Sequence, residues 1–266
     1  MKPRTLRAPE PLPTGDEKVA AVDAMFDAIA PGYDVTNRVI SLGLDVGWRR
    51  RTVLSLGLAP ERVVLDLACG TGDLCLELAR HGLLAVGLDR SSGMLQAAQT
   101  RTGSRRPSSS APAPRTHQHA IPTAPLVRGD GLALPLRSGA LDGMVCGFAL
   151  RNFAALPPVL AECARVLRPG GRLALLEVDA PSNPVLRVGH QVWFGKVVPF
   201  VGGLVAARSG APRERASAAY RYLPASVAYL PPAPELLALI SSAGFTAVER
   251  HPLSGGIAQL LTGTRS

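Results

Sequence analysis

The chain predicts an α/β fold: a doubly wound, mostly parallel seven-stranded sheet with an antiparallel hairpin on one edge and a helical cover ahead of it. Three observations carry this. From Arg62 onward, short continuous apolar runs rich in β-branched residues alternate with helical patterns, as buried parallel strands require. A glycine-rich turn, CGTGD, follows the first of those runs. The last two apolar runs are joined through Pro252–Gly256 and read as a hairpin on the sheet edge, one strand antiparallel to the rest.

The elements follow in order. Residues 1–15, MKPRTLRAPEPLPTG, are Pro-rich, lack the apolar stretch of a secretory signal and are expected to be disordered. Val19, Val22, Met25, Phe26 and Ile29 then recur at helical spacing, with Thr14 or Asp16 as cap and Pro31-Gly32 as the stop. A second short helix carries Val35, Val39, Ile40 and Leu42, and a third follows Trp48; residues 16–60 make the cover and 61–266 the core. VVLDLA (Val63–Ala68) is the first strand, LCLELARHG a helix closed by Gly82, and Leu83–Asp89 the second strand. SSGMLQAAQ is a helix capped by Ser91 or Ser92, followed by an Arg/Ser/Pro-rich insertion over 101–125. LVRGD gives a third strand, LDGMVCGFAL a fourth, PPVLAECARVLRPGG a helix with a turn, and Arg172–Val178 a fifth strand. Residues 183–230 form a lid before the helix APELLALISSAG and the closing hairpin.

Composition excludes several classes. With 266 residues, 47% hydrophobic and 18% charged, the chain has material for a sizeable core and is no extended disordered polymer. Cys69, Cys75, Cys146 and Cys163 are separated by six, 71 and 17 positions, with no Cys-x-x-Cys pair. A disulfide scaffold and a structural zinc site are therefore disfavoured, and the thiols read as reduced, cytosolic and packed as small apolar groups. The longest apolar run, Val197–Ala207, has eleven residues, against the roughly 20 that a spanning helix needs. The expected location is cytoplasmic, with peripheral contact at the inner face of a membrane left open.

The formal charge of +9 is concentrated in two stretches. Residues 101–129 hold five arginines and no acid, but their only aromatics are two histidines, so a solvated loop is favoured and nucleic acid is not an expected partner. Residues 185–215 hold five cations against Glu214 and interleave them with Trp193, Phe194 and Phe200. That pattern suits an anionic membrane surface as well as it suits a plain lid.

The glycine-rich turn invites a nucleotide-like ligand. A dinucleotide fingerprint needs a third glycine where Cys75 stands, which opposes a nicotinamide oxidoreductase. Asp66 at the strand end and Asp73 past the glycines would repel a pyrophosphate, whereas a phosphate-free cationic cofactor tolerates them. S-adenosylmethionine has that chemistry: a sulfonium, an ammonium that needs acceptors, and no phosphate. Gly70 and Gly72 let the backbone approach it closely. Asp89, 17 positions after Gly72, ends the second strand and suits both ribose hydroxyls; Asp130, in GDG, suits the adenine amine.

LDLACGTGDL, GLDRSSGML, GDGLALPL, LDGMVCGFALRN and RVLRPGGRLALLEV, in that order, resemble the class I methyltransferase fold. MFDAIAPGYDVTNRVISLGLDVGWRR, FALRN, YRYLPASV and GGIAQLLTG narrow the resemblance to the UbiE/MenG-type C-methyltransferases of menaquinone and ubiquinone biosynthesis, from about Val19 to Gly263 outside the insertion. The resemblance implies cofactor contacts at Thr71, Asp89, Asp130, Gly131 and Gly147. Gly147 stands where the family usually has serine, Ala149 where it has glycine, and Gly32 where a basic residue often precedes the Tyr-Asp pair. The implied reaction is C-methylation of a reduced prenylated quinone, most directly demethylmenaquinol to menaquinol. Another small aromatic or polyketide-like acceptor, or a non-catalytic cofactor-binding subunit, stays open.

For that reaction the expected catalytic residues are Arg151, to stabilise a phenolate, Asn152, to orient the ring, and Tyr33, to close over the substrate; His190 on the lid is a candidate base. No metal is expected. The partner is a lipophilic prenylquinol, and the apolar lid residues either line a groove for its tail or pack the lid on the core. Oligomeric state is open, a homodimer included.

Overall fold

The computed structural model describes residues 14–103, 124–181, 183–193, 197, 222 and 226–266. The early residues outside this set, the 104–123 stretch, Phe194, Phe200 and most of 194–225 carry sequence expectations that lie outside the described residues.

The apolar run at Val63–Leu67 forms the first strand, β1, buried at every position after Val63, as a strand covered on both faces must be. It is followed by β2 (Leu84–Asp89), β3 (Leu126–Arg128), β4 (Leu141–Gly147), β5 (Leu167–Val178), β6 (Phe245–Leu253) and β7 (Ala258–Arg265). Among the described residues these seven strands form one sheet in the order β3-β2-β1-β4-β5-β7-β6. β1 runs parallel to β2 and to β4, with Asp66 beside Gly87 on one side and Val145 on the other. β7 lies between β5 and β6, antiparallel to both, so it alone of these strands runs against the sheet.

Strand alternation divides the core. Leu65 and Leu67 join one apolar cluster, with Met144, Leu160 and Leu175; Val64 points the other way, into a cluster with Leu74, Cys75, Leu78 and Val145. The second cluster holds the helix α4 (Asp73–Arg80) on the sheet. Eight residues are too few for a stable isolated helix. Burying Leu74 and Leu78 contributes about 1.5–3 kcal/mol each, so packing rather than propensity holds α4. The other core helices are α5 (Ser92–Thr102), α6 (Leu156–Val166), α7 (Pro184–Val192) and α8 (Ala233–Ser242). Ser91 caps α5, its hydroxyl accepting from the Met94 N–H at 3.0 Å. All four cysteines are buried and unpaired, and burial pushes the Cys163 thiol up to about 12.

Three helices precede the sheet: α1 (Gly15–Ile29), α2 (Tyr33–Ile40) and α3 (Leu44–Ser55). Two local expectations are corrected. Thr14 occupies the cap position of α1 but makes no side-chain cap bond, and α3 begins four residues before Trp48 rather than after it. Gly43, at φ +76°, turns the chain there, and Asp45 in the first turn complements the helix dipole. The insertion is also shorter than 101–125: α5 runs through Thr102, which is buried, and Ala124 is buried at the other end.

Candidate functional site

Strand order reverses between β1 and β4, and in open α/β sheets ligands bind at the carboxyl ends of strands beside such a reversal. Two non-glycine residues there have left-handed backbones: Ala68 at φ +57° after β1, and Phe148 at φ +60° after β4. Each such residue costs about 1–3 kcal/mol, and such strain concentrates at functional sites. Neither Ala nor Phe is a turn residue, so no sequence signal marks them. Gly70 (φ +54°) and Gly72 (φ +85°) complete the turn without that cost.

One cavity opens at these strand ends. Asp89, Arg90, Gly129, Asp130, Gly131, Gly147 and Phe148 line its floor, and Val19, Val22 and Phe26 of α1 lie over it. The Asp89 carboxylate accepts the Gly70 N–H on Oδ2 at 2.8 Å and the Ser91 N–H on Oδ1 at 2.9 Å. The Arg90 N–H also bonds this carboxylate, and burial pushes the acid above its ordinary range. Asp130 pairs with Arg90, which also binds Asp23 of α1 at 3.0 Å. A side chain at Gly131 would meet the Phe153 ring at 2.8 Å, so glycine there is a requirement of close packing. Gly147 lies against Leu74, whose Cδ1 would be 2.9 Å from any added Cβ. The space that a side chain at Gly147 would need is therefore held by an apolar neighbour.

Asp66, Thr71 and Gly72 lie behind this cavity wall rather than in it. Asp66 is 1% exposed and shares the Val64 face of β1, where its Oδ2 accepts the Cys75 N–H at 3.1 Å and faces the thiol at 3.3 Å. Among the described residues its Oδ1 has no partner. Burial pushes Asp66 from 3.8 up to about 7. Between those values the folded chain holds a proton that the unfolded chain has lost, so stability falls as pH rises through this window and is flat above it. Urea midpoints should therefore be higher at about pH 5 than at about pH 7, with a slope of at most about 1.4 kcal/mol per pH unit. Asp66→Asn should remove this group's contribution; an unaltered slope in the variant would contradict the assignment.

Thr71 joins the glycine turn to the N-terminal helices, its hydroxyl donating to Asp34 at 2.5 Å. Arg101 bridges Asp34 at 2.9 Å and Asp73 at 2.5 Å, and Arg49 reaches Asp73 at 3.3 Å. Burial pushes Asp73 upward, but Arg49 and Arg101 outweigh it and hold its carboxyl below the usual range. The long-range partners in this network were not signalled by sequence spacing.

A second, mostly apolar cavity of about 370 Å³ adjoins the first, within the roughly 300–1,000 Å³ typical of small-molecule sites. Ile40, Leu42, Trp48, Leu186, Trp193 and Ile257 supply apolar wall. Tyr33 and Phe148 line both cavities and stand between them. Burial pushes the Tyr33 phenol above its ordinary value, with Asn37, Arg49 and Arg151 opposing. Asp45, 3% exposed, accepts from Ser41 at 2.7 Å and pairs with Arg38 and Arg49. Trp48 donates from Nε1 to the Ser254 hydroxyl at 2.8 Å and tilts against Phe148, ring centroids 6.2 Å apart.

Arg151 also borders the second cavity, but its guanidinium is committed. It pairs with Glu177, donates from Nη1 to the Phe148 carbonyl at 2.9 Å and from Nε to the Ser226 hydroxyl at 3.0 Å. Glu177 is fully buried and was missed in the sequence, which gives no sign that it meets a residue 26 positions away. Asn152 lines the first cavity, and its Oδ1 accepts from the Tyr222 hydroxyl at 3.4 Å. Burial pushes Tyr222 up to about 12. The His190 side chain lies outside what is described.

Comparison with known proteins gives this geometry a family. The model of the ubiE/COQ5 methyltransferase family matches residues 14–265. A demethylmenaquinone methyltransferase of Thermus thermophilus is 39% identical over 91% of this chain and 100% of its own. The ubiquinone/menaquinone biosynthesis C-methyltransferase UbiE of Syntrophotalea carbinolica is 37% identical over 91% of this chain and 93% of its own. Among solved structures, a SAM-dependent methyltransferase from Thermotoga maritima superposes with a TM-score of 0.58 at 17% identity, covering 92% of this chain and all of that one. One from Aquifex aeolicus gives 0.54 at 13% identity, covering 82% and 89%. The sheet is that of the S-adenosylmethionine-dependent enzymes, and the chain belongs to the ubiE/COQ5 methyltransferase family.

Proposed function

We propose that this methyltransferase transfers a methyl group to a ring carbon of a reduced prenylated quinone, demethylmenaquinol first among them. The observation that carries the reading is the meeting of a carboxylate-lined cavity and an apolar cavity at Tyr33 and Phe148. The relatives' names, demethylmenaquinone methyltransferase among them, state an acceptor of that class.

The residues of the first cavity fit the methyl donor. Asp89, a carboxylate on the cavity wall, accepts from the ribose hydroxyls. Asp130 stands at the adenine end beside Gly131 and Phe153. S-adenosylmethionine, when bound, supplies an activated methyl on a sulfonium; alignment and proton handling are left to the protein. Gly70 and Gly147 bring backbone to the donor, and Thr71, Gly72 and Asp66 hold the turn from behind.

In the second cavity the ring sits against Trp48 and Phe148. Tyr33, its pKa raised, stays protonated and donates to the quinol oxygen as charge grows on it. Because Glu177 neutralises Arg151, Arg151 contributes chiefly by fixing the Phe148 turn. Asn152 orients the groups at the junction. Methyl transfer forms one carbon–carbon bond, breaks one carbon–sulfur bond and releases one proton from the ring.

Incubation with demethylmenaquinol and methyl-labelled donor tests this: label should appear in menaquinone. Donor binding without turnover, or turnover confined to an unrelated phenol, would overturn it.

A further inference from the structure

Eleven large apolar side chains are exposed among the described residues, and four of them line the second cavity. Leu42 and Leu44, at the corner between α2 and α3, and Val185 and Leu186, on α7, line that cavity while leaving much of their surface in solvent; Leu42 is 68% and Val185 78% exposed. Val35 and Val39 on α2, Val46 on α3 and Val188 on α7 are exposed as well. On α7, Val185, Leu186 and Val188 are all exposed, as is every described residue from Asn183 to Gly189. Trp193 ties the two walls together, its Nε1 donating to the Ile40 carbonyl at 2.9 Å. An exposed apolar patch of this kind marks an interaction surface.

Charge identifies the occupant. Residues 33–55 carry Arg38, Arg49, Arg50 and Arg51 against Asp34 and Asp45, and both acids are engaged in ion pairs. α7 carries Arg187 and no acid. Arg50, Arg51 and Arg187 are exposed. Exposed apolar residues and exposed arginines on the same helices that wall an apolar cavity complement acyl chains beneath anionic headgroups.

We infer that the α2–α3 corner and α7 seat the chain on an anionic lipid bilayer, with the second cavity opening into it. The direction of that opening rests on reading the cavity as the prenylquinol site; the docking face stands on exposure and charge alone. Under this arrangement a substrate with a long tail reaches the junction at Tyr33 without crossing water.

The test uses the full chain and vesicles of phosphatidylcholine, with or without an equal amount of phosphatidylglycerol, containing no quinone. The parent should co-sediment with the anionic vesicles and far less with the neutral ones. Val46→Asp combined with Val188→Asp, at exposed positions outside the cavity walls, should weaken anionic-vesicle binding on the order of tenfold or more. Donor affinity, measured in parallel, should be unchanged and reports that the variant folds. A short-tailed quinol analogue should be turned over equally by both proteins in the absence of lipid. Equal vesicle binding by parent and variant, or no binding by the parent, would overturn the inference. So would a parent dimer that the two substitutions dissociate, since the face would then belong to a second copy. Failure of the analogue arm alone, with vesicle binding behaving as stated, would count against the quinol reading and leave the docking face standing.

Discussion

Asp89→Ala should weaken binding of the methyl donor about 30-fold or more, equivalent to about 2 kcal/mol, with the fold retained. The Asp89 carboxylate accepts backbone N–H groups of Gly70, Ser91 and Arg90 and lines the cavity. Charge-assisted hydrogen bonds contribute about 1.5–3 kcal/mol apiece, so losing two toward a ribose suffices for the effect. The substitution also strips an acceptor from the Gly70 N–H, loosening the turn at a residue with φ +54°. Asp89→Asn keeps the shape and loses the charge, and should fall between parent and Ala variant. Calorimetric titration with the donor measures this. Parent-like affinity in the Ala variant would contradict the assignment of Asp89 to the ribose.

Arg151→Leu should be among the most destabilising single changes in the chain. It leaves Glu177, fully buried on β5, without its cation. Breaking a buried ion pair costs about 3–5 kcal/mol, which for a chain of this size lowers Tm on the order of 10 °C. Leucine at both 151 and 177 replaces the pair by apolar groups and should restore most of the lost Tm. Activity should not return with it, because the Phe148 carbonyl and the Ser226 hydroxyl have lost their donor. Thermal unfolding and turnover on the same samples separate the two effects. Recovery of full turnover in the double variant would mean that the guanidinium has no part in holding the junction.

Much of the fold was legible because its signals are short-range. The β-branched run before CGTGD, the serine cap at Ser91 and the hairpin through Pro252–Gly256 are all set within a few residues of one another. Asp89 and Asp130 were legible as strand-end acids, and both line the first cavity. Asp66 shows where such reading reaches its limit: an acid near a strand end is visible, but the parity of β1 sends it to the face of Val64 and Cys75. Glu177 and the Asp34–Arg101–Asp73 network depend on partners brought together only by the closed sheet and the packed N-terminal helices. Phe148 depends on something less visible still, a left-handed backbone whose carbonyl accepts from the Arg151 guanidinium and whose N–H donates to the Leu176 carbonyl. The start of α3 escapes sequence reading for a simpler reason: Trp48 looks like a beginning, whereas Gly43 is where the chain turns.

The most direct measurement is a crystal structure of the chain grown with S-adenosylhomocysteine, the demethylated donor. The expected result has the ribose hydroxyls on Asp89, the adenine between Asp130 and Phe153, and the sulfur facing Tyr33 and Phe148 where the two cavities meet. A sulfur turned away from that junction, or a first cavity that stays empty at saturating ligand, would contradict the assignment.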